Sequence, residues 1–270
     1  MKKIKLGSLI GIIFILILVG CKKDPVEPLV SSTSGKLIIQ FYHLVGTDTL
    51  VLNSNQYINQ AGNHYEVDEL MYFISNFTLY FHQHAPKLIN DWTAIHYVDV
   101  EIPSTLTWNV YDSIPEGSVD SVSFVFGISA QQNQSFMFVN PPESNMAWPD
   151  ILGGGYHYMM LNGKWLDANQ IQQPFDFHLG IGQNYTDTIN YNTNTITGFV
   201  QNYFTVTLPT PGLIITPNAT STIKLQMDIS SWFKTPHSWD FNYWGGSVMQ
   251  RQPAMNNIKE NGFDVFSVKE

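Results

Sequence analysis

Apolar and polar residues alternate in several segments of the chain, and this two-residue period constrains the fold more than any other feature. In Lys36–Leu44, the side chains of Leu37, Ile39 and Phe41 fall on one face. Because successive side chains of a β-strand point to opposite faces of a sheet, this pattern predicts a strand with a buried face. Similar patterns predict strands at 73–84, 122–128, 155–161, 175–180, 196–208, 222–229 and 263–268.

Few segments favour helices. Residues 67–73 are predicted to form a turn or helix before the second strand, and residues 230–234 and 253–261 to form short helices. The last begins with Pro253 and is followed by Gly262, the usual asymmetry of helix ends. Many spaced strands separated by Gly, Pro, Asn and Asp predict an all-β fold, an antiparallel β-sandwich with a few short helices.

The N-terminus has the features of a bacterial export signal. Lysines at positions 2, 3 and 5 precede an apolar run from Leu6 to Val19, and the run ends at Cys21 in a sequence that resembles a lipoprotein signal box. An uncleaved membrane anchor is the alternative, but the run is short for a bilayer that needs ~20 apolar residues. We therefore predict a signal peptide at 1–20, a lipidated Cys21, a flexible Pro- and Ser-rich tether at 21–35 and a folded domain at 36–270.

These features predict that the protein is located in the bacterial cell envelope, lipid-anchored on the periplasmic face or the cell surface. A multiply acylated cysteine holds a protein stably on a membrane.

The chain has 13 Lys plus Arg and 22 Asp plus Glu, a net charge of -9. Removal of residues 1–20 deletes three lysines and no acids, which gives -9 minus 3, or -12. This acidity and the lack of a basic stripe argue against nucleic-acid binding.

Sequence motifs give little support for catalysis. Cys21 is the only cysteine, so neither a disulfide nor a cysteine-based metal site can form within one chain. The sequence contains no Gly-rich phosphate loop, no Gly-x-Ser-x-Gly and no His-Glu-x-x-His, although a Ser-His-Asp triad remains open. We predict that the protein is not an enzyme, and that any metal is held by His, carboxylate, Met or backbone oxygen.

Two of the eight histidines, His157 and His178, lie in apolar, aromatic-rich predicted strands. An imidazole left unpaired there costs about 1–3 kcal/mol, so each ring needs a hydrogen-bond partner or a metal ion, and periodicity alone leaves both possibilities open. Trp148 lies apart from the other tryptophans in the long loop 131–154, just before Gly153–Gly155. Long ordered loops on a β scaffold often carry function.

Five segments, in their order along the chain, resemble the MbnP family of copper-binding proteins: Leu70–Asn76, Phe124–Ile128, Met146–Trp148, Gly155–Met159 and Phe177–Gly180. The resemblance implies an exported β-sandwich that binds copper and does not turn over a substrate. It also implies that His178 is a copper ligand and that Trp148 is oxidised to kynurenine. The family's modification is attributed to a partner di-haem enzyme of the cytochrome c peroxidase type.

The chain departs from this family in two ways. Many relatives have four cysteines, and none is present here after Cys21; Asp150 stands where a second aromatic residue or a histidine is expected. The carboxylate of Asp150 could be a metal ligand or an acceptor for an imidazole N–H. With His157 and His178 it completes the predicted ligand set, and a carboxylate ligand would favour Cu(II) or Zn(II) over Cu(I).

A different function remains open. An envelope recognition or structural module could bind glycan, peptide or another surface protein without metal, through exposed aromatics around Trp239–Trp244, including Tyr243. The two functions predict different structures. Copper binding requires that two imidazoles, or an imidazole and Asp150, converge near Trp148, whereas recognition requires a large exposed apolar patch.

Overall fold

The computed structural model describes residues 33–90, 94–187, 189 and 191–269. The predicted signal peptide, the lipidated Cys21 and the tether up to residue 32 lie outside the described residues. The first strand begins at Ser34, two residues before the predicted start of the folded domain. Within the described ranges, no helix has the length and apolar character needed to span a membrane.

Strands dominate the described chain, as the alternating pattern predicted. In chain order they are β1 (Ser34–Val45), β2 (Asp48–Thr49), β3 (Tyr57–Ile58), β4 (His64–Phe81), β5 (Lys87–Leu88), β6 (Ile95–Asp99), β7 (Thr107–Pro115), β8 (Gly117–Phe126), β9 (Met159–Leu166), β10 (Gln172–Leu179), β11 (Gly182–Tyr185), β12 (Ile196–Val200), β13 (Phe204–Pro209), β14 (Ile214–Ile215), β15 (Thr220–Asp228) and β16 (Phe266–Val268). The predicted strand at 196–208 is two strands, β12 and β13, which belong to different sheets.

Helices are short. In the described ranges, the α-helices are α1 (Phe241–Trp244) and α2 (Gln252–Asn261), and the 3₁₀ helices are Pro103–Leu106, Glu143–Met146, Asp150–Leu152, Thr193–Thr195, Ile229–Phe233 and Gly262–Asp264. The predicted helix at 253–261 is confirmed as α2, and the one at 230–234 is a 3₁₀ turn.

The first sheet has the order β16-β15-β1-β2, with β7 also paired to β1. Leu37, Ile39 and Phe41 are all buried, as their alternation predicted. The pairing of β1 with β15 is parallel, from Lys36 opposite Thr220 onward, so this sheet is not purely antiparallel. The other pairings in the sheet are antiparallel.

The second sheet has the order β10-β9-β4-β8-β13, and its longest strand, β4, has 18 residues. The prediction of a turn or helix at 67–73 was therefore wrong. A shift in register between Val67 and Glu69 inserts an extra residue opposite β9, so that Val67 and Leu70 are both fully buried. This β-bulge produces a three-residue apolar spacing that resembles one turn of a helix.

The two sheets pack face to face around aromatic side chains. Phe124 of β8 stacks on Phe77 of β4 with the ring centroids 5.9 Å apart, and it meets Phe266 of the first sheet edge-on at 5.1 Å. Each buried aromatic side chain removes ~150–250 Å² from water, so such contacts dominate the stability of the core. The predicted all-β sandwich is confirmed.

The long loop 131–154 covers the outer face of the second sheet. Tyr72 points inward, toward Phe266, whereas Phe73 points outward, where Phe138 of the loop stacks on it at 5.4 Å. In β10, Phe177 packs on Phe233, so the next residue, His178, has its side chain on the opposite face of the strand.

Candidate metal centre

Three of the predicted site residues, Trp148, His157 and His178, lie together in the structure. The ring centroids of Trp148 and His157 are 4.6 Å apart, and those of His157 and His178 are 5.0 Å apart, with both pairs edge-to-face. Their exposed fractions are 2%, 6% and 9%. Residues from a loop, from the segment before β9 and from the end of β10 thus form one buried cluster.

A short irregular ladder holds the loop against the segment that enters β9. The amide of Trp148 donates to the carbonyl of Gly155 at 2.8 Å, and the amide of His157 donates to the carbonyl of Met146 at 2.7 Å. The chain reverses between these pairs at Gly153–Gly155, where φ is 119°, 68° and 77°. Glycine is the residue that adopts such positive φ values without steric cost, so the triple glycine allows the turn that places Trp148 over His157.

Trp148 is fixed on two sides. Its indole N–H donates to the carbonyl of Leu152 at 3.1 Å. The ring also lies against the backbone of Gly180, where an added Cβ would come within 2.6 Å of Cε3 of the indole. Glycine at position 180 therefore leaves the space that the indole occupies.

The hydrogen bonds of His157 define its tautomer. Its Nδ1 lies 2.9 Å from the carbonyl oxygen of Met146, which can only accept, so Nδ1 carries the proton. In the neutral ring, Nε2 then carries the lone pair. This buried nitrogen has no hydrogen-bond partner among the described residues.

The tautomer of His178 is defined in the same way, by a hydrogen bond to the side chain of Asn162. Its Nε2 lies 2.7 Å from Oδ1 of Asn162, and the amide nitrogen of Asn162 donates to the carboxylate of Glu69 at 2.8 Å. The amide oxygen therefore faces His178 and accepts from Nε2–H. The other ring nitrogen, Nδ1, carries the lone pair, and it too is buried with no partner in the described part of the chain.

Both imidazoles are neutral at pH 7. Burial, together with a smaller effect of the nearby His178, lowers the pKa of His157 to about 4. Burial likewise lowers the pKa of His178 to about 4. Because a metal binds the unprotonated nitrogen of a neutral imidazole, the two rings are already in the form that binds a cation.

The arrangement fits a metal ion. A bond from an imidazole nitrogen to copper or zinc is about 2.0–2.1 Å long, so two rings with centroids 5.0 Å apart are within reach of one ion. Neutral imidazoles suit copper and zinc. Within the described ranges, no group of three or more His, Cys, Asp or Glu side chains is placed to hold a metal ion. The cluster offers the two buried imidazole nitrogens that have no partner.

The structure does not bring Asp150 into this cluster. Asp150 follows Pro149 and begins the 3₁₀ helix Asp150–Leu152, which directs its carboxylate to the surface, where Oδ1 accepts from the hydroxyl of Ser135 at 2.7 Å. The two-residue spacing from Trp148 suggested proximity to the histidines, but the helical turn changes the direction of the side chain.

The predicted recognition surface is also smaller than expected. Trp239 is fully buried and stacks on the partly buried Trp244, with centroids 5.2 Å apart. The expectation that Trp239 is exposed was wrong. Tyr243 is 77% exposed and remains as a surface aromatic in this segment.

Asn162 and Glu69 were missed by the sequence analysis. The two residues are direct cross-strand partners on β9 and β4, although they lie far apart along the chain. The alternation of β9 places Met160, Asn162 and Lys164 on one face, which marks Asn162 as a polar neighbour of the site. Finding its partner requires the register between strands, which a single sequence does not contain.

Comparisons with known proteins identify the fold and the family of the chain. The solved structure of MbnP from Methylosinus trichosporium matches with a TM-score of 0.50 and 14% sequence identity, over 77% of this chain and 80% of that chain. At this identity the match concerns the fold. Comparison with curated protein sequences gives no match. The MbnP family model matches residues 34–250, most of the folded domain, and the chain therefore belongs to the MbnP family.

Proposed function

We propose that this protein binds a copper ion with His157 and His178 beside Trp148, and that it stores or delivers the ion without catalysing a reaction. The observation that carries the proposal is the pair of buried imidazole nitrogens that have no partner in the described structure. An unsatisfied buried acceptor costs ~1–3 kcal/mol, and a bound cation would remove that cost at both rings. Membership of the MbnP family supports copper as the cation.

The donor set favours Cu(I). His157 and His178 are neutral donors, and the carboxylate of Asp150 is bonded to Ser135. Cu(I) is well served by imidazole and soft ligands, whereas Cu(II) and Zn(II) benefit more from a carboxylate. The preference for Cu(II) or Zn(II) expected from Asp150 is therefore replaced by a proposed preference for Cu(I).

Trp148 is the proposed modified residue. Its oxidation to kynurenine would cleave the Cγ–Cδ1 bond of the indole, with two oxygen atoms supplied by two molecules of hydrogen peroxide that leave as water. Hydrolysis would then release Cδ1 as formate and leave a ketone and an aromatic amine close to His157. The catalyst would be a partner of the di-haem cytochrome c peroxidase type. The 4.6 Å ring separation from His157 supports Trp148 as the site, because the new polar groups would adjoin the donor cluster. Peptide mass spectrometry of native protein tests this proposal: an unmodified Trp148 would contradict it.

We also propose that the protein is anchored to the cell envelope through a lipid on Cys21, with residues 22–32 as part of the tether. The export signal and the signal-box sequence support this location. A membrane-tethered acidic domain would hold its copper site close to the membrane without inserting the folded part.

Metal analysis tests the copper proposal. Protein purified without chelators and equilibrated with Cu(I) should contain one copper per chain, and His178→Ala should lose it. His82→Ala is the matched control, because His82 is exposed and pairs with Asp120 away from the cluster. Equal copper in the wild type and in His178→Ala would contradict the proposal, as would loss only in His82→Ala.

A further inference from the structure

We propose that Asn162, oriented by Glu69, is a positioning residue that fixes the tautomer and ring orientation of His178 and so makes Nδ1 its metal-binding atom. The link to metal rests on the proposed function. The tautomer itself rests only on the hydrogen bonds of the protein. The pair would therefore select the geometry of the site without touching the ion.

Strand register brings the three residues together. Glu69 of β4 is directly opposite Asn162 of β9, and His178 of β10 is directly opposite Met160. Asn162 lies two residues beyond Met160 on the same face, so it is the diagonal neighbour of His178. Diagonal pairs across a sheet lie about 7–8 Å apart at the backbone, a distance that an amide and an imidazole can span.

The direction of the hydrogen bonds follows from the chemistry of the groups. The carboxylate of Glu69 can only accept, so the amide of Asn162 must turn its nitrogen toward Glu69, where the distance is 2.8 Å. Its oxygen then faces His178 at 2.7 Å and can only accept. Reversal of the amide would bring its oxygen against the Glu69 carboxylate, where two acceptors face each other, so this orientation is excluded and Nε2 of His178 must be the protonated nitrogen.

The neutral amide of Asn162 also keeps the negative charge of Glu69 away from His178. A carboxylate in direct contact with a ligating imidazole makes it a stronger donor and favours a divalent ion. Here the charge of Glu69 is separated from His178 by the amide of Asn162, and the neutral carbonyl of Met146 performs the same role for His157. Both ligands thus keep a neutral acceptor behind them, which suits the singly charged Cu(I).

Nuclear magnetic resonance of the metal-free protein tests the tautomer directly. With ¹⁵N-labelled histidine, we expect His178 as the Nε2–H form with a proton protected from exchange with water, and His157 as the Nδ1–H form. In Asn162→Leu, the protection of the His178 proton should be lost. In Glu69→Gln, it should fall because the new amide no longer fixes the orientation of Asn162. A His178 ring protonated at Nδ1, or unchanged protection in both variants, would overturn the proposal.

Copper binding gives the second measurement. Loss of such an outer hydrogen-bond partner weakens metal binding by about 10–100-fold, so Asn162→Leu should bind Cu(I) more weakly by that factor. Asn162→Asp combined with Glu69→Gln, in which the new amide donates to the new carboxylate, should restore much of the affinity and lower the reduction potential of the bound copper, because the acceptor returns with a charge. Asn184→Leu is the control, since Asn184 is exposed on β11.

These measurements separate the two proposals. Failure of the wild-type protein to bind copper would contradict the proposed function and would leave the tautomer assignment to be decided by the metal-free spectra. Full Cu(I) affinity and an unchanged reduction potential in folded Asn162 variants would contradict the positioning role alone. The near-UV circular dichroism of each variant shows whether it has folded.

Discussion

Replacing Gly180 with alanine should displace Trp148 from the histidine cluster. The added methyl would lie 2.6 Å from Cε3, 2.7 Å from Cζ3 and 3.0 Å from Cδ2 of the indole. Carbon atoms in contact are about 3.5–4.0 Å apart, so the ring must move by roughly 1 Å. Overpacking of this kind costs about 1–3 kcal/mol, and the backbone of Gly180 adds no cost of its own because its φ lies outside the left-handed region.

Urea unfolding and Cu(I) competition measure the two consequences. Gly180→Ala should lower the free energy of unfolding by about 1–3 kcal/mol and weaken copper binding. Gly198→Ala is the matched control, because its added Cβ would have its nearest neighbour at 3.8 Å and its φ is also outside the left-handed region. The control should change neither quantity by more than about 0.5 kcal/mol.

A double-mutant cycle shows whether the indole is the cause. In a Trp148→Leu background the methyl at position 180 has more room, so the cost of Gly180→Ala should fall by at least ~0.5 kcal/mol. Equal stability of Gly180→Ala and Gly198→Ala would refute the reasoning. So would a cost that is unchanged when Trp148 is replaced.

Three further predictions concern other parts of the chain. His96 stacks between Phe41 and Trp108, and burial lowers its pKa to about 4, so the unfolded state takes up more protons below pH 6.5. The free energy of unfolding of the wild type therefore falls as the pH drops from 7.5 to 5, and in His96→Phe this fall should be smaller by about 2 kcal/mol. An equal fall in both proteins would contradict this. Trp148→Phe should show no oxidised residue at position 148 in peptide mass spectra, and the same mass change there would contradict the assignment. Cys21→Ser should abolish incorporation of labelled palmitate and release the protein from membranes, and retained label would exclude Cys21 as the acceptor.

Much of the sandwich follows from alternation alone, and the errors have local causes. Strands with one buried face, such as β1, show a clean two-residue period. In β4, the bulge near Val67 shifts that period by one residue, and the segment that follows has Tyr72, Phe73 and Ile74 all fully buried. Loop 131–154 covers the outer face of this part of β4. The segment therefore lacks the polar residues that normally mark the exposed side of a strand.

The candidate site was predicted in part. His157, His178 and Trp148 were identified as candidates from their apolar surroundings, their loop and the family resemblance, and the structure brings the three together. The role of Asn162 depends on a register between strands that are far apart in sequence. The direction of the Asp150 side chain depends on a single 3₁₀ turn, which the two-residue spacing from Trp148 does not reveal.

Anomalous diffraction at the copper absorption edge tests the central claim most directly. A crystal of the Cu(I)-loaded protein should give one strong peak about 2 Å from both Nε2 of His157 and Nδ1 of His178. Within the described chain these are the two buried imidazole nitrogens without a partner. A strong peak at other residues, such as His237 with Glu260, and none at the His157–His178 pair would contradict the account.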